Sequence, residues 1–343
     1  MLRVYIKELP GCEHIPLLYP NLGRPEHPGR MAFLNQAFDN FTTPFVEIVD
    51  DPHNADYLLI PHNFPSVRAQ KDYVQEYAHL SQNLNKKIIV FWHGDSTDPV
   101  TLPNTVVFRT SQYGANIREN EIIMPPYTPD LLAGKPFAPR MKSDIPTVGF
   151  CGWAKYKNMK NRLGTMVKNA CVRVISDQWS VASSHLKGLT LRMKAVKVLE
   201  GSRLIETNFI LRGSYSGSPS TIKIDPQRGR QEYIENMLTS DLPLAIKGDG
   251  NYSYRFYEAL SLGRVPVLLD TDCVLPLADV LDYDSFILRV DCRDLVVLDQ
   301  KIRTFWDGLS DEQYAAMQRS AREAFAEHLN AKSFLQHVVQ RCL

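Results

Sequence analysis

The sequence predicts an α/β chain of two doubly wound parallel domains. Its length of 343 residues suits two domains, at roughly 100–200 residues each. Short, continuously apolar runs alternate with amphipathic helical stretches through both halves. That is the pattern of strands buried on both faces and joined by right-handed crossovers. Between the halves, PPYTPDLLAGKPFAPRMKSDIP carries six prolines, each lacking the amide donor that a ladder or helix interior requires.

In the first half the expected strands are RVYI (3–6), FVEIV (45–49), DYLLIP (56–61), KIIVFW (87–92) and TVVFR (105–109). A helix is expected over 28–41, opening at Pro28 with Met31, Leu34, Phe38 and Phe41 at helical spacing. A second is expected over 69–84, with Tyr73, Tyr77, Leu80 and Leu84 on one side. In the second half the strands are TVGFC (147–151), NFILR (208–212), LPLAI (242–246), VPVLL (265–269) and SFILRV (285–290). Helices fall around 159–172, 185–200, 228–239, 254–262 and 274–281. A final helix opens at Ser310, a good N-cap, followed by two acids that suit the positive end of the helix dipole. The expected division is 1–140, 141–309, and C-terminal helices over 310–343 that could pack back across a cleft between the domains.

A net charge of +1 gives no reason to expect a general nucleic-acid binder. The six cysteines are widely spaced, with no CxxC or Cys/His cluster to suggest zinc or a redox pair. No 18-residue apolar run is present, and MLRVYIKELP lacks the apolar core of a signal peptide. A cytoplasmic chain with reduced thiols and no membrane span is expected. The sequons at Asn40 and Asn251 are discounted accordingly.

The chemistry concentrates in KGDGNYSYRFYEALSLGRVPVLLD, residues 247–270. A strand ends before it, a glycine turn follows, and Ser253 suits the N-cap of a helix from Tyr254. Glycines let backbone approach a ligand, and amides at a helix start favour an anion. Arg255 could clamp phosphate oxygens. Glu258, three residues on, shares its face and could accept hydrogen bonds from ribose hydroxyls. Together these suggest a nucleoside diphosphate. One competing reading is a surface turn with an Arg255–Glu258 ion pair. Another is a dinucleotide fingerprint, since GDGNYS is a near miss to G-x-G-x-x-G, with Asp270 near the acidic position and an NAD-linked oxidoreductase as the corresponding function.

The same run resembles the exostosin-like glycosyltransferases, whose pattern is roughly P-R-G-D, S-x-R, E-A-L, then G-x-x-P-V. Resemblance extends to YIENMLTSD (233–241), LPLADVLDYDSFILRV (275–290), VYIKELP, DPHNADYLLIP and VGFCGWAK (148–155). Lys247 stands where the family often has Arg, and the membrane anchor of its animal and plant members is not seen. The resemblance implies a GT-B fold of two facing Rossmann-like domains, and an inverting transferase taking a nucleotide sugar, usually UDP-linked, to a glycan acceptor. A catalytically inactive homologue that binds glycans or a partner is the other possibility. Carried over, Arg255 neutralises the diphosphate and Glu258 holds the ribose. Ser253 and the amides of Gly248, Asp249, Gly250, Asn251 and Tyr252 line phosphate and sugar. Tyr233, the Gly149–Lys155 turn and Arg212 are further donor-side candidates.

Inversion needs a base on the acceptor hydroxyl. His93 and Asp95, after KIIVFW, are the preferred candidates; His62, Glu26 and His27 also fit. Trp92 and Trp153 are candidate sugar platforms, with packing the more ordinary role. Asp270-Thr-Asp272 matches a manganese motif of another glycosyltransferase architecture, but reads better as loop aspartates. No cofactor and no metal requirement are expected, because an Arg clamp can meet the leaving-group charge.

Overall fold

The computed structural model describes residues 1–25, 32–132, 134–156, 163–164, 166–167, 170, 184–214 and 223–341. Glu26 and His27, the start of the helix expected over 28–41, and most of that expected over 159–172 lie outside the described residues. The chain divides into two compact units. The first comprises Met1–Thr128, Val274–Leu277 and Glu327–Leu343; the second comprises Pro129–Cys273 and Ala278–Ala326.

The first unit is built on a parallel sheet: β1 (Leu2–Ile6), β2 (Val46–Val49), β3 (Tyr57–Asn63), β4 (Ile88–Trp92), β5 (Thr105–Arg109) and β6 (Glu121–Ile123). Their order is β2-β1-β3-β4-β5-β6. Apolar runs work here because both faces are covered, and strand alternation sorts them. Leu58, Ile60, Ile88, Val90 and Trp92 join Tyr73 and Tyr77 of α1 (Lys71–Leu84) in one cluster. Leu59, Ile89, Phe91 and Phe108 join Phe38, Phe41 and residues 331–338 in the other.

The second unit has β7 (Thr147–Trp153), β8 (Glu206–Arg212), β9 (Leu242–Ala245), β10 (Val267–Asp270) and β11 (Leu288–Asp291), all parallel, in the order β11-β10-β9-β7-β8. Its helices include α2 (Gly188–Glu200), α3 (Pro226–Thr239), α4 (Tyr254–Ser261), α5 (Leu298–Asp307) and α6 (Asp311–Ala324). Ser310 caps α6 through a reciprocal box with Gln313. Its expected apolar stripe, Tyr314, Met317, Ala321, Phe325 and Leu329, is buried throughout. Two doubly wound parallel units are the make-up that the GT-B expectation calls for.

Several details differ from expectation. Residues 129–140 belong to the second unit, not the first. Leu132 packs with Met237, Ala259 and Leu262. Arg140 exchanges two backbone bonds with the Gln318 amide and pairs with Asp241 at 2.5 Å. Residues 310–343 do not form one segment either. α7 (Ala331–Arg341) buries Phe334, Leu335 and Val338 in the first unit's core. Ala32–Phe38 forms a 3₁₀ helix rather than an α-helix. Residues 274–281 form turns, since Leu277 has a φ of 53°, which a helix does not tolerate. Tyr283–Ser285 is a 3₁₀ turn, and β11 starts only at Leu288. β6 is an additional strand. Among the described residues no helix is long and apolar enough to cross a membrane.

Candidate functional site

The order of the second sheet locates its binding position. β7 connects to β8 on one side, whereas β9 lies on the other, so the strand order reverses between β7 and β9. Doubly wound sheets bind ligands at the carboxyl ends of the strands beside such a switch point. The turn 247–253 leaves β9 there and opens α4.

Arg255, in the first turn of α4, reaches back into the gap between the two strands. Its guanidinium donates to the carbonyls of Cys151 on β7 and Leu244 on β9, the latter at 3.4 Å. It lies over the rings of Phe150, at 4.2 Å, and Tyr233, at 5.1 Å. Its Nε is buried and has no hydrogen-bond partner among the described residues. Gly152 makes this path possible, because a Cβ there would come within 2.9 Å of Nη2. Arg255 is 8% exposed and Glu258 only 2%. Both carboxylate oxygens of Glu258 are taken: Arg230 Nη1 donates at 2.6 Å and the Tyr233 hydroxyl at 2.6 Å. An open clamp and a free ribose acceptor are therefore not what the structure presents. Nor do Arg255 and Glu258 pair with each other. They form the floor beneath the turn.

Other cations gather around this floor. Arg230 itself is 20% exposed at its side chain. Lys247 is buried and donates to the Ser184 carbonyl at 2.5 Å, and burial pushes its ammonium down to about 8. Arg192 of α2 donates to the Ile246 carbonyl at 3.2 Å. Arg212, at the end of β8, is paired with Glu232 at 3.0 Å, so it is neither a simple surface residue nor an uncommitted charge. Tyr233 is held by Glu258, and burial raises its phenol well above the ordinary value.

The turn itself is firmly built. The Gly248 amide bonds to the Tyr252 carbonyl at 3.2 Å. The Asn251 side chain is committed, donating to the Thr271 and Asp272 carbonyls and accepting from the Thr271 hydroxyl at 2.6 Å. Ser253 occupies the N-cap position as expected, but its hydroxyl makes no capping bond. Gly250 is buried, Gly248 and Tyr252 are half-buried, and Asp249 is exposed at the tip. Asp270 accepts from the Cys273 amide at 3.1 Å and faces Arg289 at 3.5 Å, the expected loop role.

In the first unit, the preferred base candidates follow β4. The His93 backbone is clamped on both sides by the Asn63 amide. Its ring stacks on Tyr127 at 4.6 Å and 6°, and burial pushes it down to about 4. That arrangement suits packing better than proton transfer. Asp95 is exposed. Its loop is anchored by the buried Arg109, which donates to the Ser96 and Asp98 carbonyls and pairs with Glu121. His62 is fully buried with both ring nitrogens engaged. Trp92 is buried beneath Arg68 and Arg109. Trp153 donates to the Lys155 carbonyl at 2.7 Å.

Arg230, Arg192 and the buried state of Lys247 were not anticipated. Arg230 had a signal: it lies three residues before Tyr233, hence on the same face of α3. Lys247 had none beyond its position after β9, because burial of a lysine cannot be read from its neighbours in sequence.

Comparison with a family model matches the part of the chain that holds this site. Residues 205–304 match the Exostosin GT47 domain family, an interval that contains Arg212, Arg230, Tyr233, Lys247, Arg255 and Glu258. An Exostosin-1 homolog of Caenorhabditis elegans is 26% identical over 114 residues, 33% of this chain. The chain covers only 29% of the length of that relative. Among solved structures, a glycosyltransferase from Rickettsia africae is similar at 9% identity over 99% of this chain and 98% of that one, with a TM-score of 0.41. TarM is similar at 13% identity over 83% of this chain and 54% of that one, with a TM-score of 0.37. The family match bears out the resemblance to exostosin-like glycosyltransferases that the 247–270 motif carries.

Proposed function

We propose that the chain is an exostosin-like glycosyltransferase that moves a sugar from a UDP-linked donor to a glycan acceptor, with inversion at the anomeric carbon and without a metal ion. One observation carries the reading. Arg192, Arg212, Arg230, Lys247 and Arg255 gather at the switch point of a doubly wound sheet, within or beside the stretch that matches the exostosin family. Glu232 pairs with Arg212 and Glu258 with Arg230.

In this reading the diphosphate lies on the turn 248–253 and the N-terminus of α4, where helix amides and dipole favour an anion. Arg255 supplies charge from below, through a low-dielectric layer where it is screened little. Glu258 acts through Arg230 and Tyr233, holding both in place, rather than touching the ribose itself. Asp249, exposed at the tip, is the carboxylate open to sugar or ribose hydroxyls. As the acceptor oxygen bonds to the anomeric carbon, the bond to the β-phosphate oxygen breaks and its electron pair stays on UDP. Fixed cations that need no reorganisation stabilise that developing charge.

A thermal-shift panel of UDP against NAD, followed by a donor-turnover screen with and without EDTA, tests the proposal. UDP protection, UDP release with at least one donor and indifference to EDTA are expected. NAD protection without UDP protection favours the oxidoreductase. UDP binding without turnover of any donor favours an inactive homologue. Inhibition by EDTA that manganese reverses removes the metal-free mechanism.

A further inference from the structure

Each parallel sheet ends in two edge strands, and the four edges of this chain are not alike. β2 has four residues, β6 three and β11 four, short as edge strands usually are. β8 has seven, Glu206–Arg212. Its register with β7 runs unbroken from Thr147 beside Glu206 to Trp153 beside Arg212, with no bulge. Between its ends, TNFIL contains no Lys, Pro or Gly. The devices that keep an open edge from pairing are therefore missing inside this strand. Nor is it hidden: Thr207 is exposed, and Phe209, Ile210 and Leu211 are half-buried.

The backbone shows which groups face outward. The Glu206 amide donates to the Pro146 carbonyl at 3.0 Å, and the Arg212 carbonyl accepts from the Ala154 amide at 3.2 Å. Alternate residues of a strand address the same neighbour, so Glu206, Asn208, Ile210 and Arg212 address β7, while Thr207, Phe209 and Leu211 address the open side. Among the described residues β8 pairs with β7 alone. Charge is also divided along the strand. Glu206 is exposed, accepts from the Thr147 hydroxyl at 3.3 Å and has no cation partner among the described residues. At the other end Arg212 and Arg228 share Glu232, at 3.0 Å and 2.9 Å, two cations on one carboxylate. One end is negative and the other positive.

We propose that β8 is an interface with a second copy of this chain, the two strands lying antiparallel about a twofold axis at Phe209 and joining two five-stranded sheets into one. Thr207 of each copy then faces Leu211 of the other, and Phe209 faces Phe209. All are open-side residues, so each facing pair exchanges two backbone bonds. Glu206 of each copy falls opposite Arg212 of the other, on the same face of the joined sheet. The Arg212–Glu232–Arg228 group thereby gains a second carboxylate, and by symmetry it does so twice. Moving the axis to Asn208 sets Glu206 opposite Ile210, and moving it to Ile210 sets Glu206 opposite Ser214; either shift loses both charge pairs. Phe209, edge-on to Phe150 at 6.4 Å and 84°, meets its own counterpart on the opposite face from these charges. An extended segment of another protein would use the same amides. The strand favours its own copy, because its two ends are complementary to each other. Such a contact is isologous and closes at two copies. It does not depend on the reading of the donor site.

The test measures the oligomeric state of the full chain by sedimentation velocity over a range of protein concentrations, where a monomer–dimer equilibrium is expected. Thr207→Pro removes an open-side amide that β7 does not use, a place where an edge strand tolerates proline. It should abolish the dimer while circular dichroism and Tm stay as in wild type. Glu206→Arg puts like charges opposite each other and should raise the dimer Kd about tenfold. Phe209→Cys sets two thiols across the axis, at the roughly 5.5 Å Cα separation of a bonded pair, within disulfide reach. Oxidised glutathione should therefore cross-link it into a covalent dimer. Ile210→Cys, which faces Asn208, should cross-link no more than wild type. Hydrogen exchange should protect the Thr207, Phe209 and Leu211 amides in wild type more strongly as concentration rises. A wild type that stays monomeric at every concentration leaves the edge to another occupant and overturns the proposal. So does a Thr207→Pro variant that dimerises as wild type does, or equal cross-linking of Phe209→Cys and Ile210→Cys.

Discussion

Replacing Glu258 by Gln probes the floor of the donor site. The carboxylate is 3% exposed at its side chain and accepts from Arg230 and Tyr233, each at 2.6 Å. Gln conserves shape but offers only one acceptor oxygen, so either Arg230 or Tyr233 loses its partner, and the new amide N–H₂ then points at a donor. Breaking a buried ion pair from one side costs about 3–5 kcal/mol. Because the Arg230 side chain keeps 20% exposure, the lower end applies, about 3 kcal/mol. Arg230→Gln should cost at least as much, about 3–5 kcal/mol, since it leaves the buried Glu258 carboxylate with the Tyr233 hydroxyl but without its cation. The double variant should then show a coupling of about 2 kcal/mol in a double-mutant cycle, read from urea midpoints at unchanged slope. An Arg230→Met/Glu258→Leu pair should recover most of the stability, as buried ion pairs often tolerate apolar replacement, yet bind UDP poorly. A cost below about 1 kcal/mol for Glu258→Gln, or a coupling near zero, refutes the arrangement. UDP affinity intact in the apolar pair refutes the functional role of the floor.

Acid should weaken the fold through His93. Its folded value, pushed down to about 4, lies below the ordinary 6.5, so its stability contribution is present above about pH 6.5. That contribution is lost as pH falls towards 4, amounting to roughly 3 kcal/mol. His93→Phe should flatten that part of a stability–pH curve; an unchanged curve removes the assignment. Gly188→Ala should destabilise the second unit by a few kcal/mol and lower UDP affinity. A Cβ there would lie 2.2 Å from the Lys247 carbonyl oxygen and 2.3 Å from that of Gly248, and backbone must move. Wild-type affinity in a folded variant would show that the α2 start does not set the turn. Arg255→Ala should cost stability as well as turnover, since it leaves the Cys151 and Leu244 carbonyls without that donor; loss of turnover at wild-type stability would return Arg255 to direct phosphate contact.

The strands were legible because a parallel sheet covered on both faces writes itself as unbroken apolar runs, as KIIVFW does. The position of 247–270 was legible for the same reason, since a strand, a glycine turn and an N-cap follow in order. What failed was the linear reading of partners. Spacing on α4 put Arg255 and Glu258 on one face, but Arg255 turned inward to strand carbonyls, and Glu258 took its cation from another helix. Nothing in the spacing within α4 reports a partner 28 residues away. The helix expected over 274–281 also failed, because Leu277 takes a left-handed conformation there. β6 has only three residues, too few for periodicity to mark.

The packing of Phe334, Leu335 and Val338 against strands that end by Phe108, more than two hundred residues earlier, carries a consequence for synthesis. An emerging polypeptide that has passed residue 128 holds a sheet with one side only partly covered, by Leu17, Phe38 and Phe41 among others, and the place of α7 stays open until translation has passed residue 338. The second unit draws on no residue beyond Ala326 and can close in the meantime. The half begun first is thus finished last, and its exposed apolar side is where a ribosome-associated chaperone would be expected to hold the nascent chain.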